Sequence, residues 1–127
     1  MVIERSRVWG ALAGVNGFMA VAVGAFAAHA VKDAGVQAIL RTGAQYQAVH
    51  AVAALVCLSL LSGAAALRWA GALFGLGGLV FGGSLYILAL SGVKLWGAVT
   101  PIGGLLLLAG WALVVWSALA GQVGRQT

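Results

Sequence analysis

Four stretches of the chain contain no Lys, Arg, Asp or Glu, and together they occupy most of its 127 residues. They are residues 8–31, 42–67, 69–93 and 95–124. Each is long enough to cross a bilayer, because about 20 apolar residues rising about 1.5 Å each match a hydrocarbon core about 30 Å thick. The composition is 63% hydrophobic and 7% charged, with a mean hydropathy of +1.08. The sequence therefore predicts an integral membrane protein with four spans.

The predicted fold is an all-α membrane bundle with short loops. Backbone polar groups in lipid must be satisfied within each segment, which favours helices, and the alternation typical of barrel strands is absent. We expect one transmembrane domain over residues 1–127, with spans at about 8–30, 43–62, 70–90 and 100–119. The polar connection 31–42 can place its apolar residues on one side, which indicates a short interfacial helix between the first two spans.

Charge predicts the orientation and excludes one class of partner. The net charge is +5, but the seven basic residues are spread along the chain and form no phosphate-binding face, so nucleic acid is not an expected partner. With four spans both termini lie on one side. That side collects Arg5, Arg7, Arg68 and Arg125, and the opposite side collects Lys32, Arg41 and Lys94. The excess of one predicts that both termini are cytoplasmic, and lipid is an expected partner.

Glycine spacing predicts close helix packing. Small residues four positions apart let transmembrane backbones approach each other. Three such pairs occur: Gly10 and Gly14, Gly71 and Gly75, Gly78 and Gly82. They pack the bundle internally or form a face for self-association or for another subunit, and the expected partners are a second copy or a larger membrane complex.

The polar residues inside the spans are the candidate site. They are His29, Gln45, Tyr46, His50, Ser84, Tyr86 and Thr100. Because the helices alternate in direction, all seven map to one half of the membrane, while Asn16 is the main exception. Intramembrane histidines are functional candidates, yet no intramembrane carboxylate accompanies them. The set is therefore interpreted either as a ligand site or as hydrogen bonds that tie the helices together.

Two local patterns refine this picture. Tyr86 should point nearly opposite Ser84, so the two cannot face the same neighbouring helix. Thr100 is a good N-cap for a helix whose first residue is Pro101. If the helix instead begins near Trp96, Pro101 would kink it.

Signatures of enzymes and cofactors are absent from the sequence. It contains no nucleophile elbow, phosphate-binding loop or dinucleotide fingerprint. Two histidines fall two ligands short of a structural zinc site, and the single Cys57 cannot form an internal disulfide. We expect no catalytic residue, no metal and no cofactor.

Several motifs, in this order, resemble the YgdD-like family of small bacterial inner-membrane proteins, a family of unknown function with mitochondrial relatives. The motifs are Gly24-Ala25-Phe26-Ala27-Ala28-His29, Thr42-Gly43-Ala44-Gln45-Tyr46, His50-Ala51, Gly83-Ser84-Leu85-Tyr86, Thr100-Pro101-Ile102-Gly103-Gly104 and Gly110-Trp111. The resemblance implies four helices, a membrane location and no assigned activity. One position departs from it, since Ala27 stands where the family pattern has glycine.

These observations favour a non-enzymatic protein that is a structural or accessory subunit of a membrane assembly. The alternative is binding or transport of a lipid, quinone or small metabolite through the polar half of the bundle.

Overall fold

Four helices in sequence make up the fold. The computed structural model describes residues 2–59 and 64–121, with side chains from Arg7 onward. The helices are α1 (Val2–Ala30), α2 (Ala34–Ser59), α3 (Ala65–Ser91) and α4 (Trp96–Leu119), and no strand occurs within the described ranges. The predicted all-α bundle is confirmed.

Three of the helices are long and apolar enough to cross a membrane. They are α1 from Arg7 onward, α3 and α4. Helix α2 is not among them, since its described residues include Arg41, three glutamines and His50. A crossing by α2 therefore stays a prediction, and residues 60–62 of the predicted second span lie outside the described residues.

The predicted interfacial helix between the first two spans was wrong. Residues 34–42 are the first turns of α2 and are continuous with the rest of it. Asp33 begins this helix early, because its Oδ1 accepts the backbone N–H of Val36 at 2.9 Å. Leu40 is fully buried against Tyr86, so these turns pack within the bundle.

The N-cap assigned to Thr100 was also wrong, and the alternative start near Trp96 is the one observed. Gly92 ends α3 with a left-handed φ of 70°, so the chain reverses within a short connection and α4 begins before Pro101. The Thr100 hydroxyl oxygen lies 3.3 Å from the Trp96 carbonyl oxygen, inside the helix. Pro101 brings no N–H, so the Gly97 carbonyl lacks its usual helical donor.

Helix α3 is the centre of the bundle. It packs against α2 and α4 and also contacts α1, while α1 packs mainly on α2. Helices α1 and α4 form no extensive interface in residues 2–30 and 96–119. The first and last helices therefore do not close the bundle into a ring.

Glycines of α3 let the other helices approach it closely. The face towards α1 and α2 carries Gly71, Gly75, Gly78 and Gly82. A Cβ added at Gly71 would lie 2.8 Å from Leu58 Cγ, and one at Gly75 would lie 3.0 Å from Leu12 Cδ2. The predicted pairs Gly71 with Gly75 and Gly78 with Gly82 therefore lie inside the bundle. Around Gly10 and Gly14 a Cβ would meet nothing within 4 Å among the described residues.

The closest approach of all is between α3 and α4 at Gly103. A Cβ there would lie 2.5 Å from the backbone nitrogen of Phe81 and 2.8 Å from its Cα. Backbone atoms cannot move aside as a flexible side chain can. The absence of a side chain at this position therefore sets the distance between the two helices.

We predict that Gly103→Ala separates α3 from α4 and lowers the free energy of unfolding by about 1–3 kcal/mol, as overpacking does. The measurement is unfolding in detergent followed by circular dichroism. Gly104→Ala is the matched control, because a Cβ there meets only Phe81 ring carbons at 3.9 and 4.0 Å while the gain in helix propensity is the same. Equal stabilities of the two variants would contradict the prediction.

A buried polar network as the candidate functional site

One polar residue from each of α1, α2 and α3 meets inside the bundle. Asn16 and Gln47 are fully buried, and Tyr86 is 7% exposed. The Tyr86 hydroxyl donates to Gln47 Oε1 at 2.6 Å, and Gln47 Nε2 donates to Asn16 Oδ1 at 2.7 Å. Asn16 Nδ2 then donates to the carbonyl of Gly75 on α3 at 2.9 Å. The chain of hydrogen bonds therefore begins and ends on α3.

Every donor in this network has an acceptor. The second N–H of Asn16 donates to the Leu12 carbonyl at 3.1 Å, and the second N–H of Gln47 approaches Met19 Sδ at 3.7 Å. Reversing the Asn16 amide would place its oxygen against the carbonyls of Leu12 and Gly75. Reversing the Gln47 amide would place its oxygen against Asn16 Oδ1. The partners thus fix both amide orientations, and no donor is left over for a ligand.

Glycines make the space for these side chains. A Cβ at Gly78 would lie 3.3 Å from Asn16 Oδ1, and one at Gly82 would lie 3.1 Å from Gln47 Cδ. On α2, a Cβ at Gly43 would lie 2.7 Å from Tyr86 Cε1. Each network residue therefore packs against a glycine of a neighbouring helix.

A second contact joins α2 to α4 through His50. Trp111 Nε1 donates to His50 Nε2 at 3.0 Å, and His50 Nδ1 lies 2.6 Å from the Tyr46 carbonyl. Because an indole only donates, Nε2 must be the acceptor, so Nδ1 carries the proton and donates to Tyr46. Phe74 packs against both rings, at centroid distances of 5.5 Å from His50 and 4.8 Å from Trp111. Both nitrogens of the neutral ring are therefore occupied.

A third contact joins α3 to α4. The Ser84 hydroxyl donates its one hydrogen to the Phe81 carbonyl at 3.0 Å, so the Thr100 hydroxyl, 2.7 Å from Ser84 Oγ, donates to Ser84. Ser84 therefore faces α4, whereas Tyr86, two residues later, faces α2. The hydroxyl pair lies about one helical turn from the close approach of Gly103 and Phe81.

The seven predicted site residues do not form one cluster. His50, Ser84, Tyr86 and Thr100 bridge helices in the three contacts above. His29 and Gln45 are exposed on the outside, and neither takes part in a hydrogen bond within residues 7–59 and 64–121. Tyr46 is 48% exposed and packs its ring on Phe81 at 4.8 Å. The polar half is thus divided between an interior set and an outer surface.

Sequence reasoning missed the central residue, Gln47. A usable signal existed, because Leu40, Ala44, Gln47, Ala51 and Ala54 recur at spacings of three and four and all are buried. The residue stands in the middle of an apolar helix face and must find partners there. Trp111 was also missed as the partner of His50, and nothing in its own helix indicates that contact.

In the described part of the chain these residues form no metal centre, and the groove that Tyr86 lines is open. No group of three or more His, Cys, Asp or Glu side chains comes together in the described part of the chain. An open groove of about 320 Å³ lies along α3, lined by Tyr86, Ile87, Leu90 and Ser91. The Ser91 hydroxyl donates to the Ile87 carbonyl, so this groove is essentially apolar.

Comparison with known proteins agrees with this architecture. Residues 23–104 match the family model described as "Protein of unknown function (DUF423)". The chain belongs to the DUF423 family. This matched region contains Gln47, His50 and Tyr86, whereas Asn16 and Trp111 lie outside it.

Curated relatives of this DUF423 protein are bacterial membrane proteins. The UPF0382 inner membrane protein YgdD of Escherichia coli K12 is 40% identical over 119 residues, covering 90% of this chain and 91% of the relative. A UPF0382 membrane protein of Staphylococcus epidermidis is 40% identical over 114 residues, covering 86% and 93%. No solved structure matches significantly. The family and the apolar helices together identify a bacterial membrane protein.

We predict that Tyr86→Phe costs about 1 kcal/mol of stability, because Gln47 Oε1 then stays buried without its donor. Tyr46→Phe is the matched control and should be nearly neutral, since the Tyr46 hydroxyl has no hydrogen-bond partner in the described residues. Thermal unfolding of both variants in detergent measures the difference. In a Gln47→Met background the effect of Tyr86→Phe should shrink, and additive effects would refute the direct bond.

A separate prediction concerns the protonated nitrogen of His50. We expect ¹⁵N NMR to show Nδ1 protonated and Nε2 unprotonated, with Trp111→Phe changing the Nε2 shift. His29→Ala leaves His50 as the only imidazole and makes the assignment unambiguous. Protonation at Nε2 in the neutral ring would exclude the Trp111 hydrogen bond.

Proposed function

We propose that this protein is a non-enzymatic structural or accessory subunit that assembles in the membrane through the outward face of α1. Its first partner in this proposal is a second copy of the chain. The observation that carries the proposal is the residue composition of that face, compared with the outward face of α4.

The outward face of α1 consists of exposed residues spaced alternately by three and four. They are Ala11, Gly14, Phe18, Val21, Ala25 and Ala28. Four of these six residues are Ala or Gly, and such small residues are typical of contacts between transmembrane helices. No charged residue interrupts the face.

The outward face of α4 has the opposite composition. Its exposed residues at the same spacing are Leu105, Leu108, Ala112, Val115 and Leu119, and the four bulky ones are 66%, 66%, 57% and 82% exposed. Bulky aliphatic side chains such as these interact well with lipid chains. The contrast supports α1, rather than α4, as the surface used for assembly.

The alternative, a ligand site or transport path inside the polar half, has less support. Asn16, Gln47 and His50 use their polar atoms in bonds between helices. A ligand would have to break these buried bonds, and each broken bond leaves a polar group unsatisfied. The arrangement of these hydrogen bonds suits a bundle with one fixed conformation better than one that changes conformation.

We predict that a photo-crosslinking amino acid at Ala25 yields a covalent dimer in native membranes. Gly14→Leu should reduce this dimer about tenfold, because the leucine side chain prevents close approach of the backbones. Ala112→Leu on the exposed surface of α4 is the control and should leave the yield unchanged. A heterologous adduct that Gly14→Leu also abolishes would support an accessory subunit. Adducts with lipid alone would overturn the proposal.

A further inference from the structure

The outward side of α2 carries two polar side chains that lack a partner among the described residues. Arg41 and Gln45 are one turn apart and both exposed, and their side chains make no hydrogen bond or ion pair within residues 7–59 and 64–121. Other polar side chains at similar depth, such as Gln47 and Ser84, are buried and bonded. The two exposed residues therefore need an explanation from outside the chain.

The pairing of α2 with α3 gives their depth. Gly43 lies against Tyr86, and Gly82 lies against Gln47, so the helices are antiparallel with a fixed register. This register places Arg41 near the level of Leu88 and Gln45 near the level of Ser84, whereas α3 continues to Ser91. Gln45 thus lies about 10 Å inside the end of α3, by its rise per residue. An unsatisfied amide at that depth is costly in lipid.

Below Gln45 the same side of α2 becomes aliphatic. Val49, Val52 and Val56 follow at helical spacing and are 58%, 62% and 40% exposed. We call Arg41, Gln45 and these three valines the lipid stripe. From the membrane surface inward it presents a cation, an amide and then an apolar track. A phospholipid presents its phosphate, its ester carbonyls and its acyl chain in the same order.

We propose that the lipid stripe binds one anionic phospholipid. The Arg41 guanidinium donates two parallel hydrogen bonds to the phosphate, and Gln45 Nε2 donates to an ester carbonyl. An acyl chain lies along the three valines. Lys32 and Lys94 are exposed at the same end of the bundle and add to the preference for negative charge.

A second copy of the chain is a poor source for the anion. The sequence has only two acidic residues. Glu4 is near the start of α1, at the opposite end of the bundle, and Asp33 already caps α2 through the Val36 N–H. Phospholipid phosphate is abundant at the depth of Arg41. This site is also separate from the outward face of α1, so the two proposals can fail independently.

The test uses the full-length protein reconstituted in vesicles of equal phosphatidylglycerol and phosphatidylcholine, extracted in mild detergent and analysed by native mass spectrometry. Wild-type protein should retain phosphatidylglycerol in preference to phosphatidylcholine. Arg41→Gln should reduce the retained phosphatidylglycerol about fivefold, the effect of one basic residue near anionic lipid. Lys94→Gln is the matched control, since it removes the same charge at the same end but lies off the stripe.

Two further variants separate binding from folding. Arg41→Lys keeps the charge but loses the paired geometry, so its retention should fall between wild type and Arg41→Gln. Gln45→Leu removes the amide from a lipid-facing position, which keeps the bundle folded while lowering retention. Equal retention by Arg41→Gln and Lys94→Gln, or equal retention of the two lipids by wild type, overturns the proposal. Loss of the α1 crosslinked dimer in Arg41→Gln with lipid retained would instead assign Arg41 to a protein contact.

Discussion

The bundle depends on one requirement, that polar groups within a bilayer find partners inside the protein. Gln47 meets this requirement for three helices, since it accepts from Tyr86 and donates to Asn16. Shifting α2 along its axis by one turn would break both bonds and leave polar atoms of Tyr86, Gln47 and Asn16 without partners. The network therefore fixes the register of α1, α2 and α3, a choice that apolar surfaces alone specify poorly in lipid.

Glycine residues provide the close helix contacts that accompany this network. Lipid tails are as apolar as leucine, so helices gain little from hiding aliphatic surface and must gain from close contact instead. Helix α3 has glycines on one side for α1 and α2, and Gly77 for α4. Helix α4 is held by the contact of Gly103 with Phe81 and by two polar bridges, one from Thr100 and one from Trp111. A central helix with glycines towards all three of its neighbours thus replaces the closed ring of a regular bundle.

The sequence predicted the fold class well and the site only in fragments. The charge-free runs indicated the helices because charge is so costly in lipid. Boundaries failed where a local feature overrode composition, at the Asp33 cap and at the turn made by Gly92. Polar residues were found by type, but their pairing was not, because Gln47 is 31 residues from Asn16 and His50 is 61 from Trp111. Periodicity within a single helix carries no information on such distant partners.

The hydrogen-bond circuit that leaves α3 at Tyr86 and returns to it at Gly75 has a consequence for biogenesis. The α1–α2 hairpin is synthesised first, and in it Asn16 and Gln47 can bond to each other, to the Leu12 carbonyl and to Met19 Sδ. One N–H of Asn16 and the Oε1 of Gln47 still lack the partners that α3 provides. The Gly75 carbonyl and the Tyr86 hydroxyl, which complete the chain of hydrogen bonds, are both part of α3. We therefore expect the hairpin to partition fully into lipid only after the third helix is made, with the first three helices entering the bilayer as one unit. Helix α4, which contributes nothing to the circuit, can be added afterwards.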